Sequence, residues 1–251
     1  MRAVEQLNVT VWGDGEPAVF VHGSLGSGAD AWTAQRPLAD SYRLLLVDRR
    51  GFGESPGPDA GDFEVDAEDL ESLFPGGAHL VGHSYGGVAA LLAAARMPDS
   101  VRSLTVIEPP ALGLVRGDEV VERFITELDA ARREATSADE YLRRFFAAFG
   151  VSAPQVPRAT RDVISSWHER DPAEADVPLE ELRAAPFPKL VVRGAWDIAP
   201  TAPGRHVFHA VCDVLVDRLS ARSVTIPGAA HSVPRVGDPF SQQLRRFWET
   251  T

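Results

Sequence analysis

The segment Leu80-Val81-Gly82-His83-Ser84-Tyr85-Gly86-Gly87 determines how the rest of the chain is interpreted. It is an apolar run that ends in the pattern G-x-S-x-G, and a helical pattern rich in alanine and leucine follows it as far as Met97. A serine between a strand and a helix lies on a sharp turn, where small neighbours such as Gly82 and Gly86 are required. Its hydroxyl then projects into a cleft at a helix N-terminus, whose dipole favours negative charge. The segment therefore predicts Ser84 as a nucleophile.

Further short apolar runs, each followed by a turn signal, predict a series of buried strands. They are Val9–Trp12, Ala18–Val21, Leu44–Val47, His79–Val81, Val101–Ile107, Leu190–Val192 and Ser223–Ile226. Helical patterns at Val65–Phe74, Ser84–Met97, Arg205–Leu219 and Pro239–Trp248 alternate with them. This alternation predicts a parallel sheet with helices on both faces. Gly13-Asp14-Gly15 adds the prediction of a hairpin after the first strand.

One long interval, from Ile107 to Leu190, interrupts the alternation, and no strand is predicted within it. Three helices are predicted there instead, at Asp118–Arg133, Ala138–Phe149 and a segment from Ala159 to Glu169. Their apolar faces carry several aromatic side chains. We interpret the interval as a set of helices inserted between two strands of the sheet.

Composition excludes several classes of function. The chain has 251 residues and a formal net charge of −11, which disfavours binding to nucleic acid or to an anionic membrane. Its single cysteine, Cys212, cannot form an internal disulfide, and neither a signal peptide nor a run of about 20 apolar residues is evident. We expect a cytoplasmic protein that does not span a membrane.

Five motifs in order along nearly the whole chain give it a resemblance to the α/β-hydrolase superfamily. They are His22-Gly23-Ser24-Leu25-Gly26, Asp48-Arg49-Arg50-Gly51-Phe52-Gly53-Glu54-Ser55, Gly82–Gly86, Gly194-Ala195-Trp196-Asp197 and Gly228-Ala229-Ala230-His231. The resemblance implies an α/β-hydrolase fold with a mostly parallel sheet of about eight strands flanked by helices. Residues 1–110 and 187–251 would form the core, and residues 111–186 an inserted helical cap.

The family order of serine, acid and histidine is matched by Ser84, Asp197 and His231. A serine hydroxyl needs a base, and His231 lies in a Gly/Ala loop after the last predicted strand. A carboxylate must hold the histidine in the correct tautomer, and Asp197 is the predicted acid. Glu108 remains a rival, since it follows Val101–Ile107 at the same edge of the sheet. His22 is predicted to be structural, and His83 to point away from the cleft.

The substrate-facing residues are also predicted from the motifs. Backbone amides must face the oxyanion that forms on attack. That of Tyr85 is one, and the resemblance assigns the other to Ser24, with Leu25 as a second choice. The residues predicted to contact the substrate are Leu25, Tyr141, Phe145, Phe146, Phe149 and Trp167.

The expected reaction is hydrolysis of a carboxylic ester, lactone or thioester of a largely apolar small molecule. The expected intermediate is an acyl-Ser84, and neither a metal nor another cofactor is predicted. The same triad resembles those of C–C bond hydrolases, cofactor-free haloperoxidase-like enzymes and hydroxynitrile lyases, which remain alternatives. A ligand receptor with slow turnover is a further alternative from another class.

Overall fold

A computed structural model describes residues 6–74, 76–153 and 160–251. Within these ranges the chain forms one sheet of seven strands, in the order β1-β3-β2-β4-β5-β6-β7. The strands are β1 (Val9–Trp12), β2 (Glu16–Val21), β3 (Tyr42–Val47), β4 (Ala78–His83), β5 (Val101–Ile107), β6 (Lys189–Gly194) and β7 (Arg222–Ile226). The fold class is confirmed, with seven strands where about eight were expected.

The first strand is paired differently from the prediction. β1 pairs antiparallel with β3, and every other pair in the sheet is parallel. The hairpin predicted at Gly13-Asp14-Gly15 is therefore wrong, because β3 lies between β1 and β2 in the sheet. The turn is present, but the long apolar run of β3 pairs with both strands and separates them.

Nine helices are present in the described residues. They are α1 (Gly28–Ala31), α2 (Phe63–Glu71), α3 (Tyr85–Arg96), α4 (Glu119–Glu134), α5 (Ala138–Phe149), α6 (Arg161–Trp167), α7 (Leu179–Ala184), α8 (Pro203–Leu219) and α9 (Asp238–Trp248). Short 3-10 helices occur at Thr33–Asp40, Pro98–Ser100, Leu112–Val115, Pro172–Glu174 and Val233–Val236. No described helix has the length and apolar character needed to cross a membrane.

The sheet separates two apolar layers because successive residues of a strand face opposite sides. In β4, Leu80 packs with α2, α3 and α8 on one face, whereas Val81 packs with α9 and the Thr33–Asp40 helix on the other. Burial on both faces explains why these strands read as continuous apolar runs.

Helices α4 to α7 lie between β5 and β6, as the sequence predicted, and we call them the inserted helices. Their ends follow ordinary capping rules: Asp118 accepts the amides of Val120 and Val121, and Gly150 ends α5 in the left-handed conformation. The predicted start of the third inserted helix, Ala159, lies outside the described residues, and α6 is observed over Arg161–Trp167. Apolar side chains of α4 and α5 pack against α8 and place these helices beside the sheet edge.

Candidate active site

Ser84 lies on the sharp turn between β4 and α3, with φ 51° and ψ −127°. Residues other than glycine rarely adopt a positive φ, so the backbone at Ser84 is strained. A Cβ on Gly86 would lie 2.3 Å from the carbonyl oxygen of His22, and one on Gly82 would lie 2.5 Å from that of Gly86. The two glycines of the motif are therefore required by close backbone packing around the serine.

Neighbouring strand ends bring the reacting side chains together. The amide of Ser84 donates to the carbonyl of Ile107 at the end of β5, and that of Glu108 donates to Val192 in β6. His231 follows β7. Because β4, β5, β6 and β7 are adjacent and parallel, their carboxyl ends share one edge of the sheet.

Ser84, His231 and Glu108 form a continuous hydrogen-bonded chain. His231 Nε2 lies 2.8 Å from Ser84 Oγ, and His231 Nδ1 lies 2.9 Å from Glu108 Oε2. With Glu108 ionised, Nδ1 must carry the proton, so Nε2 is free to accept the proton of the Ser84 hydroxyl. This is the arrangement of nucleophile, base and orienting acid that acyl transfer requires.

The acid in contact with His231 is Glu108, and the prediction of Asp197 is corrected. The Asp197 carboxylate is exposed and accepts the amide of Gly228 at 3.0 and 3.2 Å. The reason is that the buried Trp196 side chain fills the space toward Glu108, so the chain turns Asp197 outward one residue later. The sequence held one signal for the acid that contacts His231, a glutamate directly after a buried strand.

Glu108 is fully buried and every oxygen has a partner. Oε1 accepts the amide of Gly194 and the indole Nε1–H of Trp196, both at 2.8 Å, and Oε2 faces His231. Its φ of 42° is one that residues other than glycine rarely adopt. These donors fix which oxygen contacts the histidine.

Burial moves the pKa values of the pair in opposite directions. Desolvation raises the pKa of Glu108 to about 8, and the hydrogen bonds from Trp196 and Gly194 oppose that rise. Desolvation lowers the pKa of His231 to about 3. The ring centroids of Phe208 and Phe149 lie 4.1 and 5.1 Å from that of the His231 ring. His231 is therefore neutral and ready to act as a base, provided that Glu108 has lost its proton.

This arrangement predicts how activity depends on pH. Because the ionised form of Glu108 is needed, kcat/KM should rise with pH up to about 8. Trp196→Phe removes one donor to the carboxylate, which disfavours the ionised form. We expect the rising limb of the profile to move to higher pH by about half a unit to one unit.

The measurement is kcat/KM against pH for the wild type, Trp196→Phe and Trp248→Phe. Trp248 is a buried tryptophan whose Nε1 makes no hydrogen bond, so its replacement controls for lost packing alone. A limb that moves equally in both variants, or in neither, contradicts the role assigned to Trp196.

Two further histidines support the site without reaching Ser84 Oγ. His83 Nε2 lies 2.9 Å from the carbonyl oxygen of His231 and so holds the loop Gly228-Ala229-Ala230-His231. The amide of Arg49 donates to His22 Nε2, and His22 Nδ1 lies 2.7 Å from the carbonyl of Gly23. These contacts agree with the structural role predicted for His22, whereas the prediction that His83 points away from the cleft stays a prediction.

The loop from His22 to Gly26 lies directly against the nucleophile. A Cβ on Gly23 would come within 2.7 Å of the Ser84 Cβ. Ser24 and Tyr85 both line the cavity at Ser84, and Tyr85 begins α3, so its amide has no carbonyl partner within that helix. The amide of Leu25 is committed to Ser166 Oγ at 2.7 Å, which removes the second-choice donor.

Glu169, which follows α6, holds this loop through a buried ionic cluster. Ser24 Oγ donates to Glu169 Oε2 at 2.5 Å, and Arg49 bridges Glu169 and Asp66 at 2.5 and 2.9 Å. Arg49 Nη2 also donates to the carbonyl of Gly23 at 3.3 Å. Burial raises the pKa of Asp66 to about 6 against the opposing charge of Arg49. No motif in the sequence pointed to Asp66 or Glu169, which are 103 residues apart.

The cavity at Ser84 has a volume of about 30 Å³. Its lining comprises Ser24, Ser84, Tyr85, Pro110, Phe124, Leu128, Arg132, Tyr141, Phe145, Phe149, Glu169, Pro172 and Phe208. Three of the residues predicted to contact the substrate, Tyr141, Phe145 and Phe149, line this cavity, and their contact with a substrate stays a prediction.

The other three residues predicted to contact the substrate, Leu25, Phe146 and Trp167, do not line this cavity. They pack around Tyr141 in a separate apolar cluster of the inserted helices, because the amphipathic pattern marks the buried side of a helix without showing which neighbour covers it. Trp167 donates its indole N–H to the carbonyl of Arg132 and stacks on Tyr141.

Comparisons with known proteins agree with this architecture. The model of the "Alpha/beta hydrolase family" matches residues 18–243. A pimeloyl-[acyl-carrier protein] methyl ester esterase of Sodalis glossinidius is 38% identical over 117 residues, which are 44% of this chain and 45% of that protein. A mouse sn-1-specific diacylglycerol lipase is 33% identical over 108 residues, 41% of this chain and 35% of that protein. The matched stretches thus span less than half of these relatives.

A solved structure extends the similarity to almost the whole chain. The thermophilic esterase from Thermogutta terrifontis superposes with a TM-score of 0.68 at 25% identity and covers 97% of this chain and 93% of its own. The family match covers far more than half of the chain, and the fold and motif order agree with it. The chain belongs to the alpha/beta hydrolase family.

Proposed function

We propose that this protein hydrolyses the carboxylic ester, lactone or thioester of a small, largely apolar acid. The observation that carries the proposal is the chain from Ser84 Oγ through His231 to Glu108, at 2.8 and 2.9 Å. Two names among the comparisons support the bond type, since one relative is a methyl ester esterase and the superposed structure is an esterase.

The proposed reaction runs in two halves. His231 Nε2 removes the proton of Ser84 as Oγ attacks the carbonyl carbon, and the imidazolium is stabilised by Glu108. The amides of Tyr85 and Ser24 donate to the oxyanion. His231 then protonates the leaving group, which leaves an acyl-Ser84. Water attacks this ester with His231 again as base, and the acid is released.

The inserted helices act as a cap in this proposal, because α4 and α5 supply much of the cavity wall. A volume of about 30 Å³ holds only about one or two water-sized groups. We therefore expect short acyl groups to be the best substrates. The buried cysteine, Cys212, is consistent with a location in the reducing cytoplasm.

The test combines covalent labelling with a substrate series. A fluorophosphonate should add once to the protein, and the adduct should map to the peptide that contains Ser84. Among 4-nitrophenyl esters from acetyl to decanoyl, kcat/KM should be highest for the two- to four-carbon acyl groups. Absence of labelling at Ser84 together with absence of turnover would contradict the proposed function.

A further inference from the structure

The wall of the catalytic cavity contains an arginine where the helix pattern calls for an apolar residue. Phe124, Leu128 and Arg132 recur every four residues along α4, so they lie on one face of that helix. All three line the cavity at Ser84. The stripe that begins as an apolar wall therefore ends in an arginine that lines the same cavity as the nucleophile.

Two charged side chains line this cavity, and they differ in how fully they are engaged. Both oxygens of Glu169 are occupied, one by Ser24 and the other by Arg49. Arg132 Nη2 is buried and makes no hydrogen bond of good geometry among the described residues, although Asp171 Oδ2 lies 2.9 Å away. A carboxylate brought into the cavity would offer this atom the directed bond that it lacks.

Asp171 is held independently of Arg132. Its Oδ1 accepts the amide of Ala173 at the start of the Pro172–Glu174 helix, and its side chain is 24% exposed. If Arg132 turns toward another carboxylate, Asp171 keeps its backbone partner and meets solvent.

The backbone that carries Arg132 is fixed from the other side. The carbonyl of Arg132 accepts the indole N–H of Trp167 at 2.7 Å, and the Trp167 ring stacks on Tyr141 with centroids 6.0 Å apart. Tyr141 itself lines the cavity. The backbone from which the Arg132 side chain extends is thus held in place by Trp167 and, through it, by Tyr141.

We infer that Arg132 binds a carboxylate on the acyl portion of the substrate, so that the preferred substrates are half-esters of short dicarboxylic acids. This inference rests on the proposed function and narrows its substrate class. A short acid with one apolar linker and one anionic end complements a cavity wall of aromatic side chains that ends in Arg132.

The experiment uses two methyl esters of the same skeleton, monomethyl succinate and methyl levulinate, which differ in a carboxylate against a neutral methyl ketone. The wild type should prefer the succinate by at least about tenfold in kcat/KM. Arg132→Met should lower kcat/KM for the succinate about 10- to 100-fold and change that for the levulinate less than about threefold. Arg133→Met is the matched control, because Arg133 is the next residue of α4 with its side chain 77% exposed.

A binding measurement separates this inference from the proposed reaction. Ser84→Ala, titrated calorimetrically, should bind monomethyl succinate more tightly than methyl levulinate, and the added Arg132→Met change should remove the difference. Equal binding of the two esters, or equal loss for both in Arg132→Met, would overturn the inference while leaving ester hydrolysis intact. Carboxylate-selective binding without Ser84-dependent turnover would instead overturn the proposed function alone.

Discussion

Glu108→Gln is expected to lower kcat about 10³- to 10⁴-fold, whereas Asp197→Asn should stay within about threefold of the wild type. The geometry gives the reason. Oε1 of Glu108 accepts two N–H donors, so the glutamine oxygen must occupy that position. The amide nitrogen then faces His231 Nδ1 and donates to it. The ring proton is forced onto Nε2, which can no longer accept the proton of Ser84.

Steady-state kinetics of both variants on the best ester of the 4-nitrophenyl series provide the measurement. Thermal unfolding should show that each variant is folded, since glutamine preserves the shape and the two backbone-side donors. If Asp197→Asn lost activity and Glu108→Gln retained it, the assignment of the acid would be wrong.

Ser84→Ala is expected to reduce kcat about 10⁵-fold or more, because no other hydroxyl in the cavity lies within reach of His231 Nε2 in the described structure. Ser24, the neighbouring serine, has its hydroxyl committed to Glu169. The fluorophosphonate adduct should disappear in the same variant. Residual activity of Ser84→Ala near that of the wild type would exclude the proposed nucleophile.

A second replacement at the same position isolates the strain at the turn. Ser84→Gly should be as inactive as Ser84→Ala but more stable by about 1 kcal/mol, since glycine adopts φ 51° without a Cβ penalty. Denaturant unfolding of the two variants gives the difference directly. Equal stabilities would mean that the serine conformation costs nothing in the folded protein.

The sequence predicted the fold because the apolar runs that mark its buried strands are local signals. Buried parallel strands are continuous apolar runs, and all seven runs named from the sequence became strands. Partner choice is not local, which is why Gly13-Asp14-Gly15 indicated a hairpin although β3 separates the two strands. A turn motif reports the path of the chain and carries no information about which strand lies alongside.

The sequence predicted best those residues of the site that lie in short motifs. Ser84 and His231 lie in short glycine-rich segments, and the structure places them in hydrogen-bond contact. The acid was assigned by family order, but the contact depends on whether Trp196 occupies the space between the strand ends. Arg132 lies on α4 and Glu169 lies two residues after α6, and only the three-dimensional packing shows that both line the cavity at Ser84.

The bonds from Glu169 to Ser24 and from Ser166 to Leu25 join the inserted helices to the loop beside the nucleophile. An outward swing of α6 and the residues after it would break both bonds, while Arg49 would still hold His22 and Gly23 of that loop. In such an opened molecule Ser24 and Leu25 would lack these two bonds, and they would regain them only on closure. The proposed oxyanion donor, the amide of Ser24, would thus be fixed by the inserted segment only while these two bonds are made.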